Sequence, residues 1–119
     1  MRYIPTIGLA FILITIGSFS VSAQELPREA GVHFFCLAPA AIDDVANALE
    51  IGDEEANEVA SAYASMRLCA MAREKIPVLA TKRIKVFTIA DGGVRAIYQA
   101  FLPTGRTIWF IGPMIGRET

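Results

Sequence analysis

The chain has one histidine, His33, and two cysteines, Cys36 and Cys69, in 119 residues. A lone imidazole excludes a multi-histidine zinc centre and leaves no base for a Ser-His-Asp triad. His33 lies in a short apolar and aromatic run, the setting of a packed or half-exposed histidine. Cys36 and Cys69 stand far apart, so they do not make a Cys-x-x-Cys redox pair. Gly52-Asp53-Glu54-Glu55 lacks the ligand spacing of a calcium loop. Asp91-Gly92-Gly93 leads between strand-like runs and not into a helix, which excludes a phosphate loop. Asp43 and Asp44 are neighbours on a helical pattern and point about 100° apart, so they do not converge as paired catalytic carboxylates must; they read as first-turn helix acids. No metal, no cofactor and no catalytic residue is expected.

Charge of one sign is also missing. Lys and Arg number 11 against 12 Asp and Glu. A nucleic-acid binder releases counterions through a basic excess that this chain lacks, and a polybasic membrane tether is excluded in the same way.

The N-terminus carries the layout of an export signal. Arg2 precedes an apolar run from Ile4 through Ile16, and Val21-Ser22-Ala23 gives a small-x-small cleavage site before Gln24. Residues 1–23 are therefore expected to be a signal peptide, with no membrane insertion once it is removed. The alternative is an uncleaved leader that tethers the protein to the envelope. In an exported chain, two cysteines most simply form one disulfide, Cys36–Cys69.

Residues 24–31 read as a flexible lead-in, and 32–112 as one domain with a loose tail at 113–119. Val32 to Cys36 fits a first strand. Pro39 suits the first position of a helix whose apolar stripe is Ile42, Val45, Ala46 and Leu49, and Gly52 stops it. Asp53 is the expected N-cap of a second helix with the stripe Val59, Ala62, Tyr63, Met66, Cys69 and Ala70, ended by Pro77. Arg67, Arg73 and Lys75 would then complement its C-terminal dipole. Arg83–Ala90, Val94–Leu102 and Arg106–Ile111 follow as strands. Asp91-Gly92-Gly93 and Pro103-Thr104-Gly105 join them as three-residue hairpin loops.

Alternation along these strands sorts two faces. Ile84, Val86, Val94, Ala96, Tyr98, Ala100, Ile108 and Phe110 form an apolar face with small alanines, assigned to the helices. The opposite face collects Trp109, Phe101, Phe87, Arg95, Lys85 and Gln99. Left uncovered, it has the composition of a protein-binding patch. It would serve a protein partner or self-association, unless another part of the chain covers it. Charge is segregated as well. Seven acids and no base lie between Asp43 and Glu58, whereas eight bases and two acids lie between Arg67 and Arg106.

The signal ending in Val21-Ser22-Ala23, the strand ending in Cys36, the two helices, Cys69 and the closing strands around Asp91-Gly92-Gly93 resemble the uncharacterised small exported two-cysteine proteins of bacteria. That resemblance implies a disulfide-clamped α+β module and carries over no activity. The expected fold is α+β with the order β-α-α-β-β-β, two layers, the helices on one face of an antiparallel meander. The expected role is a non-enzymatic periplasmic or secreted interaction module acting through Trp109, Phe101, Phe87 and Arg95. A small enzyme using His33 as acid or base is the alternative class.

Overall fold

In the computed structural model, residues 26–114 are described, and they form one unit. The expected signal segment lies outside the described residues. Strand β1 (Arg28–Cys36) is followed by helix α1 (Pro39–Ile51), helix α2 (Asp53–Ser65) and three strands, β2 (Cys69–Thr88), β3 (Val94–Phe101) and β4 (Thr107–Gly112). The α+β class and the order β-α-α-β-β-β are as expected. The four strands pair antiparallel in chain order, and Cys36 opposite Trp109 brings β1 against β4, so the sheet also closes on itself.

The chain opens earlier than expected. Arg28–Gly31, placed in the flexible lead-in by sequence, pair with Pro77–Ala80 as the first half of β1. Pro39 does start α1, and Ile42, Val45 and Ala46 are buried, with Leu49 packed at the edge of the core. The Leu49 carbonyl, an orphan of the helix end, accepts the Ala90 N–H from the β2–β3 loop. Gly52, not Asp53, is the N-cap of α2, and Asp53, Glu54 and Glu55 fill its first turn, where the positive end of the helix dipole favours them. Asp43 and Asp44 lie beyond the first turn of α1 and lack that role.

The second helix ends sooner than its apolar spacing suggested. Arg67 takes a positive φ of 63°, its N–H bonding to the Ala64 carbonyl while Leu68 N–H reaches Tyr63. This paired closure turns the chain out of the helix. Cys69 and Ala70 therefore begin β2 instead of extending α2, and Arg73 and Lys75 are strand residues with no helix end to complement.

Two hairpins complete the sheet. Ile89 pairs with Gly93 across the first, so its three loop residues are 90–92, one earlier than expected, with Gly92 at φ 96°. Leu102 pairs with Arg106 across the second, and Gly105 stands at φ 92°. Glycine meets those conformations without the Cβ clash other residues suffer.

The two sheet faces have exchanged destinations relative to expectation. Ala80, Ala96, Tyr98, Ala100, Ile108 and Phe110 share one face and are buried, with the Tyr98 and Phe110 rings stacked 5.3 Å apart. That face lies inside the rolled sheet, whose narrow interior suits small alanines beside a few large rings. The helices instead cover the outer face, where Ile42 and Ala46 meet Cys36, Cys69, Phe87 and Ile97. Alternation sorted β3 and β4 correctly, but the irregularities in β2 at 80/82 and 83/85 set Arg83 opposite Tyr98 and Ile84 beside Trp109, and Ile84, Val86 and Val94, expected in the core, are exposed. Both faces are apolar, so composition could not say which one the helices cover.

The disulfide joins residues directly opposed across β1 and β2, with Cα atoms 3.8 Å apart. Just beyond it, Leu37 N–H donates to the Leu68 carbonyl at 2.7 Å. The helical hairpin thus leaves and re-enters the sheet at one point. With a sequence separation of 33, the crosslink contributes about 3.5–4 kcal/mol by restricting the unfolded chain.

Candidate functional site

The six residues expected to form one open patch are split among three environments. Phe87 is 5% exposed and belongs to the core beneath the helices, and Trp109 is half-buried against the same core. These two are therefore not an open surface; α1 lies over them. Gln99 pairs with Trp109 in the ladder, and its carbonyl accepts the Thr81 hydroxyl at 3.2 Å. Arg95 folds back along its own strand, Nη1 donating to the Val94 carbonyl at 3.0 Å. Phe101, 37% exposed, lies at the far end of the sheet in an apolar corner with Leu79, Pro77 and Pro103.

Lys85 remains at the surface. Its ammonium meets the Asp43 carboxylate at 3.2 Å, tying α1 to β2. Both groups are well solvated, so the pair contributes no more than about 1 kcal/mol. Beneath it, Trp109, Ile84, Ile97, Ile42 and Pro39 line a small hollow of about 270 Å³. Trp109 and Lys85 thus do share a site, but a narrow one walled by α1.

The strand cations have a structural role that sequence left open. β2 pairs with β1 through its first half and with β3 through its second, leaving Lys82–Val86 without β1 on one edge. Lys82, Arg83 and Lys85 lie there beside two irregularities in register, at 80/82 and 83/85. Charge and bulging both discourage the edge from adding a foreign strand.

His33 is exposed, and its Nδ1 lies 3.2 Å from the Ala72 carbonyl oxygen. No carboxylate or hydroxyl is hydrogen-bonded to it among the described residues, so the geometry of an activated acid or base is missing there. Among the described residues no cluster of three or more His, Cys, Asp or Glu side chains is placed to hold a metal. No described helix is long and apolar enough to cross a membrane.

An exposed apolar groove lies between the two helices, at residues outside the aromatic sheet face. Asp44, Asn47, Ala48 and Ile51 from α1 face Val59, Ala62, Tyr63 and Met66 from α2 across a groove of about 510 Å³. Each set is spaced i, i+3, i+4, i+7, so each helix presents one continuous stripe. Ile51 is 70% and Met66 60% exposed, and they are the two most exposed large apolar side chains among the described residues. The signal for this face was available: Ile51 falls outside the buried stripe of α1. Met66 was counted in the buried stripe of α2, but in that helix the buried residues are Ala56 and Ala60.

A polar latch holds the groove in shape. The Tyr63 hydroxyl donates to the Asp44 carboxylate across the two helices, far from the Gly52 turn, so α2 runs back alongside α1. The Tyr63 pKa is raised above its ordinary value of 10.0, first by the hydrogen bond to Asp44, then by desolvation, and then by the negative charge of that carboxylate. Asp43 and Asp44 diverge as expected, one toward β2 and the other toward α2. No protein-family model matches this chain, and no curated protein or solved structure matches it either.

Proposed function

We propose that this protein is a non-enzymatic, exported binding module whose contact surface is the groove between α1 and α2. The observation that carries this reading is that Ile51 and Met66, both largely exposed, line the two ends of one trough bridged by the Tyr63–Asp44 hydrogen bond. An apolar side chain gains roughly 1.5–3 kcal/mol on full burial, so two of them on a fixed surface favour an occupant. The Cys36–Cys69 bridge fits an oxidising compartment, which supports export. The groove, and not the sheet patch of Trp109, Phe101, Phe87 and Arg95, is the surface on which this function rests.

Crosslinking capture from the native envelope tests the assignment with point variants. Met66→Glu and Ile51→Glu are expected to lose the crosslinked species with melting temperatures close to the parent, whereas Phe101→Glu at the opposite corner retains it. Retention by both groove variants would sink the proposal. Loss with Lys85→Glu alone would return the function to the Trp109 hollow.

A further inference from the structure

We infer that the occupant of the groove is a cationic amphipathic helix supplied by a different protein. This inference rests on the groove being the binding surface and adds the chemistry of what it takes. The first argument is shape. Two parallel stripes spanning positions 44–51 and 59–66 make a trough about 10 Å long, at 1.5 Å per residue, which matches two turns of a helix laid between two others. Anchors at i, i+3 or i+4, and i+7 of such a helix reach Ile51 at one end and Met66 at the other.

Charge supplies the second argument. The two helices carry Asp43, Asp44, Glu50, Asp53, Glu54, Glu55 and Glu58 and not one lysine or arginine. All but Asp43 are exposed. The Asp44 carboxylate stands in the groove wall, with one oxygen taken by Tyr63. A partner with lysine or arginine beside its apolar stripe meets the Asp44 carboxylate in the groove wall and the exposed acids elsewhere on the two helices, gaining both encounter rate and discrimination. The same acids oppose a second copy of this chain packed hairpin to hairpin, and they repel an anionic lipid surface.

Fluorescence anisotropy with the oxidised domain tests this directly. The probes are a labelled helical peptide of leucine, alanine and lysine with one leucine stripe, and its counterpart with every lysine replaced by glutamate. The lysine peptide is expected to bind at least about tenfold more tightly than the glutamate peptide and to weaken at high salt. Met66→Glu is expected to weaken it at least about tenfold, although that change adds negative charge and so cannot act by reducing general attraction. Equal binding of the two peptides overturns the inference, as does lysine-peptide binding that Met66→Glu leaves unchanged. So does a concentration-dependent dimer, or sedimentation with phosphatidylcholine vesicles, that Met66→Glu abolishes. If the lysine peptide fails to bind while envelope capture still depends on Met66, this inference falls and the groove assignment stands.

Discussion

The rolled sheet and the helical hairpin spend their apolar residues in opposite ways. Inside the sheet, Tyr98, Ile108, Ala96 and Ala100 are sealed from water, and the one hydroxyl among them donates to the Pro113 carbonyl at 2.6 Å. The hairpin commits one stripe of α1 to the sheet and leaves Ile51 and Met66 outside. Burial of the first kind holds a fold together, and exposure of the second kind is retained at a cost in solubility unless something covers it. The difference separates a sealed scaffold from the surface proposed for contact, within a single small unit.

Truncation gives the largest effect that could break this comparison. Ile108→Ala inside the sheet should cost about 2–5 kcal/mol in urea unfolding, through lost burial and the cavity left behind. Met66→Ala on the groove should change stability by less than about 0.5 kcal/mol. Comparable losses at the two sites would mean that the groove is structural.

Removing the bridge comes next. The Cys36→Ser, Cys69→Ser double variant should lose about 3–4 kcal/mol. Amide exchange should then quicken more in α1 and α2 than in β3 and β4, because only the hairpin is anchored by that link. Uniform quickening would show that the two regions unfold as one.

A smaller effect of opposite sign is expected at the end of α2. Arg67 occupies a left-handed conformation that costs a side-chain-bearing residue about 1 kcal/mol, so Arg67→Gly should raise stability by up to about that amount. The gain is reduced by the extra freedom glycine has when unfolded. Thermal melts of the pair measure it.

The smallest signal is a titration. Ultraviolet difference titration against Tyr63→Phe should place the Tyr63 pKa above 10.0, and Asp44→Asn should bring it down toward that value. Because the folded state holds this proton more tightly than the unfolded chain, its contribution to stability is present below pH 10 and is lost as pH rises through the raised value. An unshifted Tyr63 would mean that the latch is open in solution and the groove is not fixed.

Much of this architecture was legible in residue chemistry. Pro39, Gly92 and Gly105 each meet a local backbone demand, Gly52 follows the last residue of α1 as expected, and the two cysteines paired as expected. The stretch from Met66 to Lys82 was not legible. Ala62, Met66, Cys69 and Ala70 keep helical spacing across the point where Arg67 turns the chain away. Pro77 and the charged run Arg73-Glu74-Lys75 also conceal a strand that pairs with β1. The cover over the aromatic face was hidden for a different reason. Trp109 and Phe87 have the composition of a binding surface, but α1 lies over them, and whether a helix covers one apolar sheet face or the other depends on how the sheet rolls. Local pattern carries no record of that.

The meeting of Leu37 and Leu68 beside the Cys36–Cys69 bridge also fixes how the domain bears load. A partner pulling on the helical hairpin pulls on its two feet together, and both stand on one covalent link. Tension therefore reaches the sulfur–sulfur bond before the hydrogen bonds of the β1–β2 ladder, which cannot be unzipped from that end while the bridge is intact.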